Sequence, residues 1–520
     1  MMSWMRDTVL TLPTALCTFL LLLALIFIKI FHKLWWIPTR TQKFMAAQGI
    51  RGPSYKLIHG NNKEISNMLM EAMSRPVLNL SHEVLSAVQP HIHSWTKIYG
   101  KNYLQWYGLQ PVLVITEPEL VKEILHNKDG VFTKQKPSIY VKKLLGDSIS
   151  MAEGEKWSKL RKLSNHAFHG DSLKNMIPDM IASAETMLEG WKKHEEKEIE
   201  VYEHFRRFTS EVISRTAFGS SYLEGKDIFD MLMKLGSLIF RNAHKFRVPG
   251  ISKFYKTSDE KESEKLEKGI RDTIVEIVKK REREAVTGEE GSFGTDFLGL
   301  LLKAHHGAND KQRISVNELV EECKTFYFAG QDTTNSLLVW TVFLLALHPD
   351  WQEEARKEVL QIFGKQPPSP DGLAKLKTMS MIINESLRLY PPVITLARNV
   401  DKEVRLGNLT IPPNVEFLVP NLALHHEPQF WGQDVKVFKP ERFSEGVASA
   451  TNNNMAAFLP FGMGPRTCVG LNFATIEAKI ALAMILQRYS FTLSPAYVHS
   501  PFQFLTVRPQ HGLQVILHSL

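Results

Sequence analysis

Cysteine is scarce in this 520-residue chain: three residues, Cys17, Cys323 and Cys468, lie far apart and are odd in number. That excludes the paired framework of a disulfide-stapled secreted domain and fits a reducing compartment. No CxxC pair accompanies any of them, so a finger-type structural zinc site is excluded as well. No GxGxxG motif appears, so the chain carries no flavin or nicotinamide domain of its own. Gly/Ser linkers, repeats and low-complexity blocks are also missing. Length alone suggests roughly three domains, but this unbroken composition favours one large domain behind a short N-terminal element. The formal charge is +8, yet basic and acidic residues alternate throughout. Without an Arg-rich tract, zinc-finger spacing or an aromatic RNA motif, nucleic acid is excluded as a partner.

The most decisive segment present is "VLTLPTALCTFLLLLALIFI", Val9 to Ile28, an uncharged apolar run as long as a bilayer-spanning helix requires. It exceeds the h-region of a signal peptide and lacks a small-x-small cleavage site. Positive charge follows at Lys29, Lys33, Arg40 and Lys43, which places the C-terminal side in the cytosol. The expected organisation is an anchor with its basic flank over 1–35, a hinge over 36–60 and one catalytic domain over 61–520. The sequons at Asn79, Asn384 and Asn408 are then expected to stay unglycosylated.

Beyond the hinge the pattern is mainly α with small β-sheets. A helical stretch begins at His82, and alternating apolar residues around a turn in "NYLQWYGLQPVLVIT" predict a strand pair. A charged helix over Ser258 to Glu284 carries an apolar stripe at Ile270, Ile274 and Ile277, as a surface helix does. Ser315 and Glu318 form a capping box opening a helix of about thirty residues, far above the globular mean. That helix is apolar on most sides and stops at Pro349, so it is expected to cross the core. A further helix ends at Pro391-Pro392, short strands follow between Val400 and Val419, and "LNFATIEAKIALAMILQRY" forms an amphipathic helix.

Immediately before that last helix stands "FGMGPRTCVG", residues 461 to 470. A free cysteine is ordinarily a small buried hydrophobe. Here it sits at a helix N-terminus, where N–H groups and the dipole lower a thiol pKa. Gly462, Gly464 and Gly470 allow tight turns and close approach to a flat ligand, and Arg466 offers charge to an anion. A single cysteine of this kind can be the sole protein ligand of a haem iron. Phe461, Gly464, Arg466, Cys468 and Gly470 match the FxxGxRxCxG pattern position for position, and at these residues the chain resembles the cytochromes P450.

Other motifs carry the same resemblance. "AGQDTT" matches the oxygen-binding signature through Ala329, Gly330, Asp332 and Thr333. A glycine in mid-helix costs stability and suggests close backbone approach to a ligand. An Asp-Thr pair in an apolar helix suits directed proton delivery, while plain back-bonding of the threonine to its helix is the ordinary alternative. The resemblance implies a Glu-Arg-Arg scaffold from Glu385 and Arg388 in "ESLR" with Arg442 in "PERF". It implies haem-propionate contacts from Trp157 and Arg161 in "WSKLR", with Arg398 and Arg466. The style of "LRLYPPV" and "FAGQDTT" looks like plant P450s of the seventy-two clan. The hinge departs from the family pattern in lacking a proline-dense PPGP form.

The resemblance therefore implies a P450 fold with an N-terminal transmembrane helix, haem b held by Cys468, and O2 as co-substrate. The activity it implies is hydroxylation of a lipophilic terpenoid, hormone-like or fatty-acid substrate. Electrons are expected from NADPH through NADPH-cytochrome P450 reductase, with cytochrome b5 as a possible second partner, on the endoplasmic reticulum membrane. A reductase-independent isomerase or dehydratase, and a membrane-anchored haem carrier, are the competing readings. Lys156, Lys159 and Lys162 are candidate docking residues for the reductase. Stretches 132–151, 393–396 and 502–505 are expected to line the pocket.

Overall fold

The computed structural model describes residues 2–75, 80–243, 245, 256–287, 293–307 and 313–520, with the backbone alone over 2–15. The sequon at Asn79 lies outside the described residues. Helix Met2–Phe31 continues through a π turn, His32–Trp36, into helix Ile37–Ala47. Pro38 opens the last of these, where a missing N–H costs nothing. The apolar window within Leu16–Ala47 has a mean hydropathy of 2.1 and none of it is buried, so this helix stands away from the core as a single-pass anchor does. The segment after it is tied down. Gln48 exchanges two hydrogen bonds with the Thr410 backbone, 3.0 and 2.7 Å, and Tyr55 Oη donates to the Leu34 carbonyl at 2.6 Å.

The helical stretch expected from His82 divides in two, Val84–Val88 and Pro90–Tyr99, because Pro90 cannot continue a helix and instead starts the next. The expected strand pair forms as Asn102–Tyr107 and Gln110–Ile115, antiparallel, with Tyr107 opposite Gln110. Glu416–Pro420 joins the second strand in parallel and Thr395–Asn399 closes the sheet, setting Arg398 opposite Phe417. Smaller sheets gather the C-terminal strands, with Gln514–Ser519 between Glu198–Glu200 and Tyr489–Leu493.

The long helix spans Val316–Leu347 with the Ser315–Glu318 capping box formed. It crosses the core, packed by helix Val201–Phe218 and by helix Leu471–Leu486, with every residue from Leu337 to Leu345 at most 2 % exposed. Trp340 stacks on Tyr390 at 4.2 Å and 14° and donates its indole N–H to the Val507 carbonyl. These contacts fix the central helix against helix Lys377–Leu389 and the C-terminal strands. The charged helix runs Ser258–Thr287 and buries Leu266, Ile270, Ile274 and Val278, with Ile277 only half-buried.

Candidate active site

The loop before helix Leu471–Leu486 places Cys468 on the wall of an interior cavity of about 380 Å³. Its backbone N–H donates to the Phe461 carbonyl at 2.9 Å, closing the loop on itself. Gly464 has φ +75°, and a Cβ there would lie 2.5 Å from the Leu125 carbonyl oxygen, so only glycine fits. Gly462 is also left-handed at φ +73°. Gly470 differs from the expectation of a tight turn: its φ is −89° and a Cβ would touch Cys468 Sγ at an ordinary 3.8 Å. What Gly470 provides is its N–H toward the sulfur, which pulls the Cys468 pKa down. The net direction is nonetheless upward, because burial outweighs both that bond and the nearby Arg161 charge. The N–H at the helix N-terminus thus acts on the sulfur in the expected direction, and burial acts against it.

One end of the cavity is cationic. Arg161 and Trp157 project from helix Gly154–Ala167, Arg398 from its strand, Arg466 from the cysteine loop, and Lys134 from the preceding loop. Arg466 lies 4.3 Å over the Trp157 ring and pairs with Glu153. Arg161 donates to the Thr467 carbonyl and Arg398 to the Ala397 carbonyl at 2.8 Å. Burial first, then Arg466, bring Arg398 down to about 10; burial, then Arg398 and Arg466, bring Lys134 down to about 7. Three arginines and Lys134 thus share one carboxylate, Glu153, whose second oxygen accepts the Lys134 backbone N–H at 2.6 Å. Such an end favours an anionic ligand.

On the opposite wall the central helix presents Ala329, Gly330, Thr333 and Thr334. A Cβ on Gly330 would lie 2.7 Å from Ile213 Cδ1, so what crowds this glycine is a side chain of helix Val201–Phe218. Thr333 Oγ1 donates to the Ala329 carbonyl at 2.7 Å, so the ordinary back-bond is present while the residue still faces the cavity. Asp332 does not line the cavity. It is buried on the far side of the helix, where Oδ2 accepts from Thr506 Oγ1 at 2.9 Å and burial raises its pKa against the opposing charges of Arg508 and Arg206.

The "Cytochrome P450" family profile matches residues 77–517. The chain belongs to the cytochrome P450 family. It is 60% identical over 510 residues to Cytochrome P450 CYP749A22 of Panax ginseng, covering 98% of this chain and 97% of that one. It is 42% identical to Cytochrome P450 CYP72A616 of Paris polyphylla over 94% of this chain and 95% of the relative. It is 39% identical to 7-deoxyloganic acid hydroxylase of Catharanthus roseus over 95% and 96%. The chain is thus a P450 monooxygenase of plant type, akin to the seventy-two clan, with the mainly helical fold and apolar N-terminal helix described above.

The Glu385–Arg388–Arg442 set of this P450 is assembled. Arg388 grips Glu385 with two bonds of 2.7 Å and donates to the His425 and Val435 carbonyls. Arg442 approaches Glu385 at 3.5 Å and donates to the Trp431 and Asp434 carbonyls. Phe461, Val393 and Leu396 line the cavity, as do Ile149 and Ser150. The 502–505 stretch does not. Phe502 and Phe504 instead meet Phe240, and Arg508 covers Phe504 at 3.7 Å. Of the three lysines named as docking candidates, Lys156 pairs with Asp147 and Glu318 and Lys159 donates to the Arg313 carbonyl, while Lys162 is exposed. Several wall residues escaped the sequence reading: Phe168, Ile213, Thr325 and Asn421, among others, carry no site motif, and only tertiary packing brings them here.

Proposed function

We propose that this P450 hydroxylates a lipophilic small molecule, of terpenoid, hormone-like or fatty-acid type, with O2 and electrons passed from NADPH by a membrane-bound reductase. The observation that carries the reading is the meeting, in one cavity, of Cys468, an arginine-rich end and the Thr333 wall. That donor set fits a haem: a sulfur for the iron, cations for two propionates, and apolar side chains such as Val469, Phe473 and Ala474 for the flat ring. The bound haem iron supplies the activation of dioxygen, and a thiolate ligand favours O–O cleavage.

The chain's own residues do the rest. Gly470 N–H and Arg161 hold the sulfur in its anionic form once a cation is beside it. Arg161, Trp157, Arg398, Arg466 and Lys134 orient the propionates. Thr333 holds a proton at Oγ1 on the wall of the cavity. Asp332, whose pKa burial raises, resupplies protons from the far side of the helix, where Thr506 Oγ1 donates to its carboxylate. Apolar walls exclude water and admit an apolar substrate, while Ser150 and Thr325 offer one polar patch for an oxygen function of that substrate. The anchor supports a cytosol-facing domain on the endoplasmic reticulum membrane, within reach of the reductase. A relative named for hydroxylating 7-deoxyloganic acid supports hydroxylation as the reaction type.

The test is the CO difference spectrum of reduced, membrane-expressed protein, wild type against Cys468→Ser. A thiolate-type band in wild type and its loss in the variant are expected, followed by NADPH- and reductase-dependent turnover of a lipophilic substrate. Substrate conversion without NADPH or reductase would favour the isomerase reading.

A further inference from the structure

We propose a second ligand site, on the surface, in which Glu282, His305 and His306 take a divalent ion of borderline softness such as Zn2+. Glu282 stands on helix Ser258–Thr287, and the two histidines end helix Phe297–His306. One ligand atom from each of the three lies within 4.8 Å of the others. None of them lines the cavity that holds Cys468.

The ring positions point to a metal more than to an ion pair alone. A simple pair accounts for His306 Nε2 and Glu282 Oε1, 2.8 Å apart, and does not involve His305, whose ring stands 4.9 Å from that of His306. His305 Nδ1 lies 2.8 Å from the Ile314 carbonyl oxygen. A carbonyl only accepts, so Nδ1 carries the proton and the lone pair is on Nε2. Holding one ring nitrogen on a carbonyl is how metal-ligating histidines are oriented. His306 is oriented too, stacked on Phe293 at 5.0 Å and 9°.

The reach is adequate. Zn2+ binds imidazole nitrogen and carboxylate oxygen at about 2.0–2.2 Å, so tetrahedral neighbours sit roughly 3.4 Å apart. His306 and Glu282 separate slightly to admit the ion, which replaces the proton shared between them, and His305 closes the remaining distance by a small shift that keeps Nδ1 on the Ile314 carbonyl. His306 is exposed, so a water completes the set. Two imidazoles and one carboxylate suit Zn2+ better than Mg2+ or Ca2+, which prefer all-oxygen sites. The ion adds a link between two helices already joined by the His306–Glu282 contact and by the Arg281–Asp296 pair, and its binding free energy adds to stability by mass action.

The experiment is calorimetric titration of Zn2+ into detergent-solubilised, tag-free, chelator-treated holoprotein, beside His305→Ala/His306→Ala and Glu282→Gln. One Zn2+ per chain is expected in wild type, with affinity lowered roughly 100-fold or more in the double variant and about tenfold or more in Glu282→Gln. Zn2+ is also expected to raise the thermal midpoint of wild type but not of the double variant. An unchanged CO difference band confirms that the variants fold. Absence of binding in wild type, or equal binding in the folded double variant, overturns the proposal, and neither result touches the haem reading.

Discussion

Gly464 shows how much one position can carry. Its φ of +75° and the Leu125 carbonyl 2.5 Å from a would-be Cβ act against any side chain together. Gly464→Ala is expected to cost more than about 1 kcal/mol, read as a lower urea midpoint and a lower yield of the CO-binding form. Glu322 offers a second residue-scale test. It is fully buried on the central helix, with Oε1 accepting the Ile149 N–H at 2.6 Å. Burial pushes its carboxyl up from 4.5 to about 8, against that hydrogen bond. The folded state therefore holds this proton more tightly than the unfolded chain. The resulting stability is complete below about pH 4.5 and is lost as pH rises through about 8. Glu322→Gln is expected to flatten the fall in unfolding free energy across that window, by at most about 1.4 kcal/mol per pH unit. Equal pH slopes in the two proteins would refute the assignment.

At the scale of elements, the buried network binds helix Lys377–Leu389 to the loop around 425–442. Glu385 and Arg388 are both wholly buried, so breaking the pair leaves an uncompensated charge in the core. Glu385→Gln is expected to cost about 3–5 kcal/mol and to abolish the CO-binding form, since the segment it holds leads into the cysteine loop. Arg442→Met is expected to cost clearly less: its contact with Glu385 is 3.5 Å, and its two carbonyl bonds lie nearer the surface. Thermal midpoints of the two variants, measured side by side, test the ranking. The same scale explains why the Asp-Thr pair divides. Adjacent residues on a helix point about 100° apart, so Thr333 reaches the cavity while Asp332 meets Thr506 on the C-terminal hairpin.

For the whole molecule, the anchor and the catalytic body are separable in energy. None of the apolar window of the N-terminal helix is buried against the protein. Deleting residues 2–31 is therefore expected to release the chain from sedimented membranes while leaving the thiolate-type CO band in place. Loss of the band in the truncated chain would mean that the anchor supports the fold. The π turn at His32–Trp36 and the Tyr55–Leu34 bond lie at the junction, so longer deletions are expected to be less well tolerated.

The sequence by itself determined what depends on local pattern: the apolar run long enough to span a bilayer, the capped central helix, the hairpin around Gly108, and the cysteine loop whose residues match a whole motif. Its failures share a physical cause. Burial acts on the Cys468 thiol against its helix-terminal N–H, and no reading of a helix terminus includes that. Lys134 and Arg398 share one electrostatic environment because a β-bridge pairs Thr133 with Asn399, a fact of topology. The 502–505 stretch turns toward Phe240 instead of the cavity. Glu282 and His306, separated by more than twenty residues, meet only because two helices pack. Periodicity and motif spacing act over a few turns of chain, whereas burial, charge coupling and ligand convergence are set by what the folded chain brings together.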